Sequence, residues 1–286
     1  MMYNSTGTTN AALTMAKLNQ LAPSIFSSSA KETLTSKYNF IPTVQVVKEM
    51  EKEGWLPVKA IESRTNNEAN QGFQKHMVRF RNFNEQVQNE LMVGDTFVEL
   101  VLTNSHNGLS SFVFNCGLFR LACSNGMVVS ESSFDTARIR HNSYEATQVI
   151  DICGETVKKA PQITGAVEMM KNIELSPMEQ LIFANAAKPL RFDKPDEIDT
   201  ERILSAKRQA DKGNDLWKTY NRTQENLLKG NVRYDRHDAQ GRYSGRGHTQ
   251  EVKSIDKNVK LNQALWTLAE EMAKLKTGMG ITNAAK

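Results

Sequence analysis

The stretch DTFVELVLTNSHNGLSSFVFNCGLFRLACSNGMVV, from Asp95 to Val129, decides the fold. Within it, residues 96–103 and 111–123 are rich in β-branched and apolar side chains, which is typical of strands. Between them, Asn107-Gly108 favours a tight turn, because both residues accept positive φ angles. Asn125-Gly126 repeats this turn signal after the second strand. The stretch therefore predicts a β-hairpin whose polar residues gather at its two ends: His106 at the tip, and Arg120, Cys123 and Asn125 at the exit.

Two more strands are predicted upstream, at Trp55–Ile61 and Lys75–Arg81. Alternation in the second strand places His76 on an apolar face, so we interpret it as a core histidine. The opposite face carries three cations: Lys75, Arg79 and Arg81. A basic sheet face is a suitable platform for a phosphate backbone. The alternative is a solvated face that keeps the sheet soluble.

Domain organisation follows from composition and periodicity. Residues 1–38 are rich in Ser, Thr and Asn and predict a flexible N-terminal arm with one helix near Ala11–Leu21. Residues 39–175 predict an α+β core around the hairpin, ending in a helical pattern that Pro161 interrupts. Residues 176–286 predict a helical C-terminal region.

The helices of the C-terminal region have recognisable signals. Ser176-Pro177-Met178-Glu179 is a capping box with proline at the first helical position, so a helix should extend to about Ala187. Its expected buried face is Leu181, Ile182 and Ala186. Further helices are predicted from Asp199 to about Gln209, from Leu216 to Leu228, and from Asn258 to Lys276, where a leucine-rich stripe is expected to dock on the domain.

Residues 229–248, KGNVRYDRHDAQGRYSGRGH, predict a mobile basic loop. Five basic residues against Asp235 and Asp238 give this segment a formal charge of +3, which is most of the +4 of the whole chain. Tyr234 and Tyr243 lie among the arginines, a combination that fits the stacking of bases and the neutralisation of phosphates. Any exposed flexible loop has a similar composition, and that alternative stays open. The basic residues are Lys229, Arg233, Arg236, Arg242 and Arg246.

Composition excludes several classes of protein. The three cysteines form no CxxC pair, which argues against a disulfide scaffold and a structural zinc site. The sequence contains no GxxxxGK[ST], GxGxxG, HExxH or GxSxG motif, so we expect no enzyme activity, no cofactor and no metal. A dyad of Cys123 with His106 or His141 is conceivable but disfavoured. The absence of a long apolar run or a signal peptide predicts a cytoplasmic protein that does not enter membranes.

Three segments resemble the phage- and plasmid-borne family called domain of unknown function 932. They are Thr103–Gly108, Phe119–Gly126 and Ile139-Arg140-His141, and the run Glu251–Asp256 with Asn262–Trp266 resembles the end of that family in a phage version. The resemblance covers about Pro42 to Met272 and implies a phage or mobile-element origin in a bacterial host cell. One departure is Asn107, where the family usually has an aspartate.

We therefore expect an α+β protein with an antiparallel sheet of about five strands packed against helices and a mainly helical C-terminal half. The first functional hypothesis is a nucleic-acid-binding protein of replication or recombination, with single-stranded DNA favoured and a homo-oligomer possible, similar in role to single-strand-annealing proteins. The alternative is a host-interaction protein, anti-defence or antirestriction, that works through protein contacts. For Arg120, Arg140 and His141, a phosphate or base site and a structural network both stay open.

Overall fold

The structure, a computed structural model, describes residues 11–34, 38, 40–89, 91–93, 96–120, 126–128, 137–139 and 146–278. The chain forms two compact units, Met1–Pro161 and Gln162–Lys286. This division falls inside a long helix, earlier than the boundary expected after residue 175. Among the described residues, no helix is long and apolar enough to cross a membrane.

The first unit is built on an antiparallel sheet. The elements are α1 (Met15–Leu21), α2 (Thr43–Lys52), β1 (Trp55–Glu62), β2 (His76–Asn82), α3 (Glu85–Gln88), β3 (Met92–Val93), β4 (Thr96–Asn104), β5 (Phe112–Arg120), β6 (Gly126–Val128), β7 (Ala137–Ile139) and α4 (Ala146–Asn172). The main path of the sheet runs β1-β2-β4-β5-β6, while β3 pairs with β4 and β7 pairs with β5. The predicted α+β class is confirmed, with two short strands added to the expected five.

The β4–β5 hairpin is the centre of the sheet, as the deciding stretch predicts. Thr96 pairs with Arg120 at one end and Thr103 with Val113 at the other. Gly108 in the connecting turn has φ +74°, a conformation that L side chains rarely adopt. Side chains alternate across the pleat, and one face forms the apolar core. That core includes Val98, Leu100, Leu102, Phe112, Phe114 and Leu118, all at most 1% exposed.

The N-terminal segment differs from the flexible arm that its composition predicts. Over residues 11–34 it contains α1 and packs on the sheet, with Leu18 and Ile25 fully buried. The backbone N–H of Leu13 donates to the carbonyl of Pro57 at 2.6 Å. The N–H of Ser24 donates to a carboxylate oxygen of Glu62 at 2.7 Å. A few apolar side chains with backbone bonds to β1 are enough to order a segment that is polar on average.

Helix α4 continues through Pro161, where an interruption was expected. Proline lacks the N–H that would bind the carbonyl of Val157 in a regular helix. Ala160 and Ile163, on either side of the proline, are fully buried. Burial of these neighbours offsets the lost hydrogen bond, so packing overrides the local signal.

The second unit is a group of helices with a two-stranded sheet. The helix α7 (Leu216–Lys229) lies at the centre of this unit, and most of the residues of the helix are buried. Trp217 stacks on Tyr220 with ring centroids 5.9 Å apart, and Tyr220 meets Trp266 edge to face. The elements that follow α4 are α5 (Pro177–Ala187), α6 (Thr200–Ile203), α7 (Leu216–Lys229), β8 (Arg233–His237), β9 (Tyr243–His248) and α8 (Ile255–Thr277).

Two helices of this unit differ from their predictions. The predicted span and capping box of α5 are confirmed, but its buried residues are Gln180, Phe183, Ala184 and Ala187. Ile182, expected to be buried, is 52% exposed. Apolar residues lie on both sides of α5, so periodicity could not choose the face. The helix α6 ends at Ile203 instead of near Gln209.

Candidate nucleic-acid interface

The segment expected to be a mobile basic loop forms the β8–β9 hairpin, which corrects that prediction. Its turn is built by Asp238, whose Oδ1 accepts from the backbone N–H groups of Gln240 and Arg242, each at 2.9 Å. Gly241 completes the turn with φ +76°. Sequence reasoning missed the strands because they consist mostly of charged, polar and glycine residues, with no apolar face that would indicate a strand.

The two ends of the hairpin are joined to each other at its base. Val232 is 4% exposed, and its backbone N–H donates to Thr249 Oγ1 at 3.1 Å. The N–H of Asn231 donates to the carbonyl of Thr249 at 2.7 Å. Most of the side chains beyond this base are exposed. The structure therefore presents the basic segment as an ordered projection.

The four arginines of the hairpin have different environments. Arg242 Nε is 2.8 Å from Asp238 Oδ2, and Arg246 Nε is 3.6 Å from Asp235 Oδ1. The guanidinium of Arg236 lies 5.8 Å from the ring centroid of Tyr234. Arg233 is half-buried. Ion pairs as exposed as these contribute little, so a phosphate can replace the carboxylate.

The carboxylate of Asp238 is stabilised in its charged form. The backbone N–H of Arg242 is the main cause that holds the pKa of Asp238 below its ordinary value, and the Arg242 side chain adds to it. This carboxylate therefore stays charged and paired with Arg242 in the free protein.

The two tyrosines of the hairpin, Tyr234 and Tyr243, have different surroundings. A Cβ atom on Gly247 would lie 2.6 Å from Cζ of Tyr234, so the Tyr234 ring packs on bare backbone. Tyr243 is 60% exposed, and its ring centroid is 6.5 Å from that of the exposed His237. An exposed ring beside arginines is the arrangement on which an unpaired base can stack.

A shallow cleft of ≈ 370 Å³ lies beside β8. Carboxylates outnumber guanidinium groups in its lining by four to two, which disfavours an anion there. Any phosphate contact is therefore expected on the exposed arginines. The lining residues are Asp196, Glu197, Asp199, Arg202, Arg233, Tyr234, Asp235 and His237.

The expected basic sheet face is not open to solvent at two of its three positions. Arg79 is 3% exposed and Arg81 is 5% exposed, and both bind Glu99, which is fully buried. Arg79 Nε donates to Glu99 Oε2 at 2.7 Å, and Arg81 Nε donates to Oε1 at 2.8 Å. This corrects the prediction for Arg79 and Arg81, since a buried guanidinium paired with a carboxylate cannot reach a phosphate backbone. Lys75 is half-buried.

A signal for this burial was present in the sequence. Glu99 is the only charged residue in the otherwise apolar or uncharged strand β4. An acid in a strand buried along its whole length requires a charged partner. Arg79 and Arg81 on the neighbouring strand β2 are such partners. The Arg81 guanidinium also lies 4.2 Å from the ring centroid of Phe97.

The remaining predicted site residues do not form a described site. Arg120 ends β5, where its backbone pairs with Thr96. Arg140, His141, Cys123 and Asn125 lie outside the described residues. Over the part of the chain that the structure describes, no group of three His, Cys, Asp or Glu side chains is placed to hold a metal ion. Cys153 is buried, and burial raises its pKa to about 12, which keeps it a thiol.

His106, which the sequence places at the tip of the hairpin, is a core residue. Both His76 and His106 are fully buried, with ring centroids 5.1 Å apart. Thr43 Oγ1 is 2.8 Å from His76 Nε2 and 3.4 Å from His106 Nε2. Ser24 Oγ is 2.9 Å from His76 Nδ1. These contacts join the N-terminal segment and α2 to the sheet, and the prediction of a core histidine at His76 is confirmed.

Comparison with known proteins identifies the family of this chain. The family described as "Domain of unknown function (DUF932)" matches residues 31–266. The chain belongs to the DUF932 family. Two proteins of Escherichia coli (strain K12), UPF0380 protein YafZ and UPF0380 protein YfjQ, are each 36% identical to it over 261 residues, or 91% of each chain. No solved structure matches.

Membership of DUF932 confirms the resemblance seen in the sequence. The matched region includes both the β4–β5 hairpin and the β8–β9 hairpin. The names of the DUF932 family and of these two relatives state no ligand and no reaction.

Proposed function

We propose that this DUF932 protein binds single-stranded nucleic acid, with DNA favoured, through the β8–β9 hairpin. The role we infer is binding or annealing of single strands during replication or recombination of a phage or mobile element. The observation that carries the proposal is an ordered, exposed hairpin that combines three exposed arginines with the exposed ring of Tyr243.

The division of labour follows from the environments of the side chains. Arg236, Arg242 and Arg246 are exposed and neutralise backbone phosphates. Tyr243 offers its ring to a base, and base stacking on an aromatic side chain contributes about 1–3 kcal/mol. Bases in a duplex are already stacked on each other, so this contribution favours single strands. The buried Arg79 and Arg81, which pair with Glu99, have a structural role in this proposal instead.

The first test is fluorescence anisotropy with a labelled single-stranded oligonucleotide over a series of salt concentrations. Each phosphate contact to a single strand contributes about −0.7 to the slope of log affinity against log salt. The hairpin variant Arg236→Ala/Arg242→Ala/Arg246→Ala should flatten this slope by about 2. The matched control is Lys158→Ala/Lys257→Ala/Lys260→Ala, which removes the same net charge from exposed lysines elsewhere.

Preference for single strands is tested at Tyr243. Tyr243→Ala should weaken binding to the single strand by roughly fivefold or more and leave duplex binding almost unchanged. Tyr243→Phe keeps the ring and should retain affinity. A DNA strand and an RNA strand of equal sequence measure the preference between the two.

The outcomes separate this proposal from the alternative. No binding at low salt, or equal effects of the hairpin and control variants, would contradict binding through the hairpin. The first of these results would favour a host-interaction protein, anti-defence or antirestriction, that works through protein contacts.

A further inference from the structure

The cleft beside β8 is continuous with the face of the hairpin that carries the proposed nucleic-acid contacts. Asp235 and His237 line the cleft. In the register of the hairpin, Asp235 pairs with Arg246 and His237 pairs with Tyr243. Paired residues of an antiparallel ladder lie on the same face of the sheet. Arg246 and Tyr243 therefore lie next to two of the residues that line the cleft.

The size and the opposite wall of the cleft suit one small planar group. Its volume of ≈ 370 Å³ lies near the lower end of the roughly 300–1,000 Å³ that small-molecule sites occupy. The opposite wall is the loop before α6 together with the start of that helix. This loop is held in place by the buried Lys188, whose Nζ donates to the carbonyl of Ile198 at 2.9 Å. The wall is therefore ordered in the free protein.

The lining of the cleft combines two kinds of hydrogen-bonding group. Its four carboxylates can only accept, and its two guanidinium groups can only donate. Guanine matches both, because N1–H and the N2 amino group are adjacent donors, whereas O6 and N7 are adjacent acceptors. An arginine that donates to O6 and N7 is the commonest specific contact to this base. Thymine presents one N–H between two carbonyl oxygens, which carboxylates repel.

One carboxylate of the cleft has no partner within the part of the chain that the structure describes. Asp196 is exposed and makes no hydrogen bond or ion pair through its side chain there. The other three carboxylates each have a basic partner within 4 Å. These pairs are Glu197–Lys194 at 3.3 Å, Asp199–Arg202 at 3.3 Å and Asp235–Arg246 at 3.6 Å. Asp196 is therefore the carboxylate with both oxygens available to a base.

We propose that this cleft binds one guanine base of the bound single strand. Asp196 accepts from N1–H and the N2 amino group, while Arg202 or Arg233 donates to O6 and N7. A neutral base tolerates the carboxylates that exclude a phosphate, and the phosphates stay on the exposed arginines of the hairpin. The inference rests on the proposed function, because the contacts at the hairpin bring the strand to the cleft.

Fluorescence anisotropy with matched oligonucleotides tests the guanine site. The first strand contains only thymine over about 15 nucleotides, and the second has a single guanine at its centre. The wild-type protein should bind the guanine strand at least about fivefold more tightly. A strand with hypoxanthine in place of guanine lacks the N2 amino group and should lose most of this gain.

Two isosteric variants separate recognition from charge. Asp196→Asn should bind the thymine strand at least as tightly as wild type but lose the guanine gain, since an amide cannot accept through both of its polar atoms. The matched control is Asp193→Asn, at an exposed acid of the same loop that does not line the cleft. This control makes the same change in charge and should keep the gain.

The outcomes distinguish the guanine site from the proposed function. Equal binding of the guanine and thymine strands by wild type, or a guanine gain that survives Asp196→Asn, would overturn the guanine site and leave strand binding by the hairpin in place. No binding to either strand would overturn the proposed function and the guanine site together.

Discussion

Lowering the pH should destabilise the first unit through one buried imidazole, His76. Burial is the main cause that lowers the pKa of His76 from its ordinary value of 6.5 to about 3, and the neighbouring His106 adds to it. In the unfolded chain the imidazole is solvated and takes up a proton near its ordinary pKa. Between these two pKa values the unfolded state binds more protons than the folded state. Stability must therefore fall as the pH falls through this window.

The magnitude follows from the size of this window. Each pH unit below 6.5 costs about 1.4 kcal/mol of unfolding free energy while His76 remains neutral in the folded state. At about pH 5 the expected loss is about 2 kcal/mol. That is a large part of the roughly 5–15 kcal/mol that stabilises an ordinary domain.

The assay is urea unfolding at several pH values between about 7.5 and about 5, with wild type and His76→Gln measured in parallel. Glutamine can still bond to Ser24 and Thr43 but does not titrate, so the variant should lose less stability towards acid pH. The absolute cost of the substitution does not matter, because only the two pH slopes are compared. The matched control is His237→Gln, the same substitution at an exposed position of the hairpin in the second unit. Parallel curves for wild type and His76→Gln would refute the reasoning.

Two further substitutions test the described contacts. Glu99→Gln leaves the guanidinium groups of Arg79 and Arg81 without their shared carboxylate. Thermal unfolding and urea titration should therefore show a loss of about 3–5 kcal/mol in unfolding free energy. An unchanged stability would contradict the pairing. Asp238→Asn keeps the Oδ1 that builds the hairpin turn but removes the negative charge that pairs with Arg242. If the hairpin binds nucleic acid, anisotropy should show roughly threefold tighter binding and a salt slope steeper by about 0.7, whereas weaker binding would contradict exchange of the carboxylate for a phosphate.

Local signals predicted much of the fold. The period of two in β2 and the hairpin turn at Asn107-Gly108 predicted the central sheet. The capping box at Ser176 predicted α5 with its correct ends. In each case the decisive interactions join residues close in sequence, or depend on one face being apolar, and both can be recognised from the order of residues.

The β8–β9 hairpin shows where this reasoning fails. Its strands have no apolar face, and they are ordered by the Asp238 turn and by the hydrogen bond between Val232 and Thr249 at the base. The cations and tyrosines that support the proposed function were identified from composition. Their exposure and pairing depend on the folded hairpin, which composition does not specify.

The sequence by itself determined the strands of the central sheet and the span of α5, because backbone preferences and side-chain periodicity act over a few residues. Only the tertiary structure decided the surroundings of individual side chains. Arg79 and Arg81 share a face, as alternation requires, but Glu99 on β4 makes that site a buried ion pair. Likewise, α5 is apolar on both sides, and packing in the second unit decides which side remains exposed. The role of a charged or polar side chain depends on partners that are distant in sequence, and only folding brings those partners into contact.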